Sequence, residues 1–252
     1  MTTKTDTTND PTASGMSAAA QADAAARADR LPDVRRQLQA ALDLAVETVR
    51  TIRPDQLDLP TPCSEYDVDG LIRHLAGAAD RAVVAAGGGN VPDLDPYDAV
   101  AIADIVDLLS ASAAAFGPAW ADDATLDHVV SLPWATLPAR VLVPIYLSEI
   151  STHTWDLAAA TGQQPAFDEE AVRIALATMQ MGLPAEPRDQ APFGPVQPVA
   201  DDAPAIEQLV AWCGRTPSWP TGQHRSGVAG ERERLGEPVV AGCALRPLTG
   251  TE

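Results

Sequence analysis

Glu149 and His153 stand four residues apart in the sequence. On a helix that spacing puts their Cβ atoms one turn above each other on a single face. A carboxylate and an imidazole so placed can grip one cation, by the logic that sets two histidines on a helical zinc site. Two ligands from one helix leave such a site incomplete, so a third has to come from elsewhere. His74 is the candidate, because Leu71, His74, Leu75 and Ala78 share one apolar helical face that directs the imidazole inward. Spacing alone leaves a plainer reading open: a Glu and a His at this interval often make only a surface contact, and an inward His often satisfies a core hydrogen bond.

The elements that must position these residues read as helices. A first helix begins near Pro32, carries Leu38, Leu42, Ala45 and Val49 at helical spacing, and ends before Pro54. Ser64 precedes Asp67 in the Ser-x-x-Asp arrangement that starts helices, which predicts a second helix from about Glu65 to Ala86. The run Gly87, Gly88 and Gly89 stops it. A third helix is expected over about Pro96 to Phe116, closed by Gly117 and Pro118, and a short extended connection over 125–137. A fourth helix should open near Pro138 and run to about Thr161 before Gly162, with Pro144 predicting a kink or a late start. Asp168, followed by Glu169 and Glu170, opens a fifth that reaches Met181. The six prolines of 183–204 exclude regular structure there, and a last short helix spans Ala205 to Cys213.

Composition agrees with an all-α chain. The residues are 46% hydrophobic but only 4% aromatic, and alanine, the best helix former, makes up much of the rest. Acidic residues outnumber basic ones 35 to 17, and a net charge of −18 repels phosphate backbones and anionic lipid headgroups. Neither nucleic acid nor a membrane is therefore expected as a partner. Cys63, Cys213 and Cys243 are distant and odd in number, which suits a reducing compartment. With no basic segment leading into an apolar run at the N-terminus, the expected location is cytoplasmic. Residues 1–30 carry almost no large apolar side chains and are expected as a disordered tail, 31–216 as the helical domain, and 217–252 as a flexible extension.

The stretch Thr61-Pro-Cys-Ser-Glu-Tyr-Asp-Val68, then Leu71-Ile-Arg-His-Leu75, and later Glu149-Ile-Ser-Thr-His-Thr-Trp-Asp-Leu-Ala158, resembles the metal-binding domain of mycothiol-dependent maleylpyruvate isomerases. The likeness extends over roughly 33–217 and includes Phe193-Gly-Pro and Gly214-Arg-Thr-Pro, similar to stand-alone actinobacterial members of that superfamily. It implies a DinB-like four-helix bundle with an additional C-terminal helix, of a kind that often forms homodimers. It also implies a divalent metal, zinc first, held by His74, Glu149 and His153, the three residues already singled out. In the catalytic relatives the open coordination position is thought to receive the thiol of mycothiol, which then attacks an electrophilic substrate. The characterised isomerases continue into a second folded domain, where this sequence is Pro-rich. The resemblance thus implies a thiol-dependent transferase or isomerase of unspecified substrate, with a non-catalytic metal-binding or regulatory module as the alternative.

Other residues invite a role. Asp156 could accept a hydrogen bond from His153, or stand exposed or paired with an arginine. Trp155 and Cys63 read as packing residues before pocket or thiol chemistry, and Arg73 and Arg81 as surface arginines that could attract an anion. His128 and His224 fall outside both motifs.

Overall fold

The first helix, α1 (Arg35–Arg50), buries Leu38, Leu42, Ala45, Val46 and Val49 along one stripe, the spacing that fits one face of a helix to a core. The computed structural model describes residues 31–91, 97, 100–133, 135–188 and 193–220. The expected tail over 1–30, most of the extension over 217–252, and His224 lie outside the described residues. Apart from Leu31 and Pro32, what is described belongs to one unit beginning at Asp33.

Helix α2 (Val68–Val84) starts at Asp67 and not at Ser64. The Asp67 carboxylate accepts the Gly70 N–H at 2.9 Å, the bond that caps a first turn. Ser64 cannot begin the helix because the chain is still folded back on itself: the Val68 and Asp69 amides donate to the Leu59 and Leu57 carbonyls, both at 3.0 Å. α2 gives way at Ala85–Gly87 to one tight turn. Gly88 and Gly89, at φ 69° and 75°, then swing the chain into β1 (Gly89–Asn90).

Helix α3 (Ile102–Ala119) starts later than the sequence suggests and runs past Gly117 and Pro118. Gln39 of α1 accounts for that overrun. Its amide accepts the Gly117 N–H and donates to the Ala113 carbonyl, each at 3.0 Å, bracing the last turn from outside. α3 is the one helix among the described residues long and apolar enough to cross a membrane, with a mean hydropathy of 1.3 over 18 residues. It nevertheless carries Asp104 and Asp107 and buries Ile105, Leu109, Ala113 and Phe116 in the core.

The expected extended connection is a small sheet. β1 pairs in parallel with β2 (Val129–Ser131), and β2 pairs antiparallel with β3 (Thr136–Pro138), Val130 opposite Leu137. Helix α4 (Ala139–Thr161) follows at once from Pro138 and continues through Pro144, so no late start occurs. α5 (Glu169–Gly182) is capped by Asp168, which accepts the Ala171 N–H at 2.8 Å. α6 (Ala205–Trp212) is the last.

Helices α1 and α2 each pack against both α3 and α4, which closes a four-helix bundle of DinB-like type. The fifth and last helices of the sequence reading are added to it: α5 lies on α4, and α6 on both. α4 is therefore covered on nearly every side, from Leu142 and Val143 to Leu157 and Ala160. Leu109→Ala in α3, which empties a fully buried position, should cost about 2–5 kcal/mol. Chemical unfolding measures it, and a loss below about 1 kcal/mol would mean that α3 is not part of this core.

Candidate functional site

The loop before α2 and the middle of α4 meet where the sequence places its candidates. Thr61, buried in that loop, bonds the Cys63 and Tyr66 carbonyls at 2.9 and 2.8 Å and so fixes the turn leading into α2. Tyr66 then stacks on the His74 ring, centroids 5.0 Å apart and planes 25° apart. Its hydroxyl lies 3.5 Å from His74 Nδ1. The other ring nitrogen, Nε2, faces α4 and lies 3.3 Å from Glu149 Oε1. That approach lacks hydrogen-bond geometry, so Nε2 is a buried polar atom with no hydrogen-bonded partner. The His153 ring stands edge-on to His74 at 4.9 Å between centroids. One ligand-type atom from each of His74, Glu149 and His153 lies within 4.8 Å of the other two.

His153 is held from behind. Its Nδ1 is 3.0 Å from Asp156 Oδ2, and Asp156 is fully buried. Burial alone would raise the Asp156 carboxyl, but the Arg215 guanidinium and His153 outweigh it and hold it below the ordinary carboxylate range. An ionised carboxylate can only accept, so Nδ1 carries the proton and, in the neutral ring, the lone pair is on Nε2. Glu149 follows the same pattern. Burial pushes its carboxyl up, while His74, Arg81 and His153 pull it down to about 2. Arg81 Nη2 lies 3.8 Å from Glu149 Oε1.

Residues 38–158 match the mycothiol maleylpyruvate isomerase N-terminal domain family. Two uncharacterized proteins of Mycobacterium tuberculosis, from the CDC 1551 / Oshkosh and ATCC 25618 / H37Rv strains, are each 32% identical over 180 residues, covering 71% of this chain and 95% of theirs. The chain belongs to this family. No solved structure matches it. The matched segment includes all three candidate ligands, and Asp156 as well.

A pocket opens beside the cluster, lined by Ile145, Glu149, Thr152 and His153 of α4 and by Met179, Phe193, Cys213 and Arg215 from the C-terminal part. Burial pushes the Cys213 thiol up to about 11, so it is a neutral wall residue at physiological pH. Cys63, His153 and Asp156 form a second group of ligand-type atoms within 4.8 Å. A cation there would face the guanidinium already seated on Asp156, so this group suits support better than metal binding.

The remaining expectations resolve individually. Arg73 is structural: it pairs with Asp69 at 2.7 Å and donates to the Tyr97 and Val100 carbonyls. His128 bonds the Ala86 carbonyl at 2.8 Å, away from both motifs. Cys63 is buried, and Trp155 is half-buried and does not line the pocket. Two participants escaped the sequence reading as site residues. Tyr66 lay inside a quoted motif, and its aromatic ring near an inward His was the available signal. Arg215 lay inside the quoted Gly214-Arg-Thr-Pro segment, but nothing in that segment pointed to the site.

Because Glu149 has a folded value near 2 against an ordinary 4.5, its ionised form stabilises the folded chain fully above pH 4.5. That contribution is lost as pH falls towards 2. Melting temperatures over this window should drop more steeply for the wild type than for Glu149→Gln. Parallel curves would show that the carboxylate is not paired as described.

Proposed function

We propose that this chain holds one divalent metal ion through His74, Glu149 and His153, and acts in thiol-dependent isomerase or transferase chemistry. The observation that carries the reading is His74 Nε2, a buried nitrogen without a hydrogen-bonded partner, aimed at a carboxylate and a second imidazole. A buried polar atom left unsatisfied costs about 1–3 kcal/mol. A ligand that accepts its lone pair removes that cost.

The donor set suits such an ion. Two imidazoles and one carboxylate are typical of zinc, and are also compatible with nickel, iron or manganese. Three protein ligands leave room for an exogenous one. When bound, the ion would supply Lewis acidity that brings the pKa of a thiol or water at its open position towards neutrality. The chain's own residues prepare the rest. Asp156 keeps the His153 proton on Nδ1, Tyr66 stacks on the His74 ring, and Glu149 stays ionised at neutral pH. Arg81 sets a positive charge beside the cluster that favours an anionic thiol or an anionic substrate. Ile145, Met179 and Phe193 give the pocket an apolar wall, which limits water near a reactive thiolate. Family membership supports a small-molecule thiol, mycothiol, as the partner, and we assign this unit to residues 31–216.

Elemental analysis of natively purified protein should give close to one equivalent of metal, and His74→Ala should abolish it. Mycothiol titrated into the loaded protein should bind and be turned over with an electrophile. Bound metal without thiol affinity would favour a non-catalytic module. Absence of metal from the wild type, even after reconstitution with Zn²⁺, would remove the proposal.

A further inference from the structure

Outside the matched family segment, which ends at residue 158, a buried cation reaches back to the site. α6 closes with Gly214 at φ 84°. The Gly214 N–H bonds the Ala211 carbonyl at 3.1 Å and the Arg215 N–H bonds the Val210 carbonyl at 2.8 Å. This is the paired closure of a left-handed glycine cap, and it fixes where residue 215 begins. A Cβ at position 214 would stand 2.8 Å from the Gly194 backbone, so two segments cross here at a distance only glycine permits.

From that crossing the Arg215 side chain turns inward and is 6% exposed. Nε donates to Asp156 Oδ1 at 3.3 Å, Nη2 to Asp156 Oδ2 at 3.1 Å, and Nη1 to the Cys213 carbonyl at 2.9 Å. Asp156 Oδ2 also accepts from His153 Nδ1. Guanidinium, carboxylate and imidazole thus run in sequence from the C-terminal turn to a proposed metal ligand.

We propose that Arg215 is a positioning residue for the metal centre: by fixing the Asp156 carboxylate, it holds the His153 ring in the tautomer and orientation that turn Nε2 towards the ion. The inference rests on the metal reading of His74, Glu149 and His153. A planar fork on both carboxylate oxygens sets the plane of the carboxylate, which a point charge cannot do. With that plane fixed, the remaining acceptor direction on Oδ2 determines how the imidazole lies. Partners behind a ligating histidine typically govern metal affinity by about 10–100-fold.

The full chain, stripped of metal and titrated with Zn²⁺ and with Co²⁺, tests this. Arg215→Met should weaken Zn²⁺ binding about 10–100-fold and change the Co²⁺ ligand-field absorption, with Arg215→Lys intermediate. Trp212→Leu is the control. It loosens the same segment, where Trp212 donates to the Leu183 carbonyl at 3.2 Å, without touching Asp156. It should lower the melting temperature and leave Zn²⁺ affinity and the Co²⁺ spectrum as in the wild type. If Arg215→Met does not fold, Arg215→Lys and Asp156→Asn make the same comparison. Failure of the wild type to bind either ion overturns the metal reading and this inference with it. A wild type that binds, beside folded Arg215 variants with unchanged affinity and spectrum, overturns the inference alone. So does an equal affinity loss in Trp212→Leu at a matched melting temperature.

Discussion

Glu149 and Asp156 are two carboxylates on a helix enclosed by its neighbours, and each has to be compensated where it stands. Taking an ion of this kind out of water costs several kcal/mol even after relaxation. Both nonetheless remain ionised, because the chain brings compensating groups to them from outside α4: Arg81 and the His74 ring from α2, Arg215 from beyond α6. His153, on α4 itself, lies between the two and is drawn on by both. The close association of α2 with α4, and the return of the C-terminal segment, are conditions for keeping charge inside the bundle. A helix that only needed to fill a core would have no use for them.

The enclosure of α4 also explains which parts of the fold were legible. α1 presents one buried stripe, so the spacing of Leu38, Leu42 and Val49 shows directly which way it faces, and on α2 Leu71, His74 and Leu75 lie on the inward side although its middle is buried more widely. α4 has no such stripe. Its buried set includes Ser148, Ser151, Thr152 and Thr154 beside its leucines. Ser148 and Thr154 are accommodated by donating to carbonyls one turn back, at 2.9 and 2.7 Å, so their polarity is no signal of exposure. The inward direction of Glu149 and His153 could be read only from their interval and their likeness to a known motif.

Errors at helix ends have a common origin in contacts from distant sequence. Ser64 and Asp67 are both competent caps, and the choice between them is made by Leu57 and Leu59, whose carbonyls tie down the chain after Asp67. Gly117 and Pro118 are competent terminators, yet Gln39 on another helix holds that turn helical. Arg215 is the same case at the site itself. Its role follows from Gly214 and Gly194 crossing at close range, two residues whose nearness no local pattern encodes.

The division between the candidate ligands and the groups behind them falls at the end of the matched segment. The family match ends two residues after Asp156, so the carboxylate behind His153 lies inside the matched segment and its guanidinium partner outside it. An unpartnered Asp156 at zero exposure would be unfavourable, since removing one member of a buried pair typically costs about 3–5 kcal/mol. In this chain the compensating charge is Arg215, from beyond the bundle. In this protein the supplier is a glycine-capped short helix returning over α4 and α5, whose end carries Cys213 and Arg215 into the pocket wall. One feature thus serves two purposes: the turn that neutralises Asp156 also shapes the space in front of Glu149 and His153.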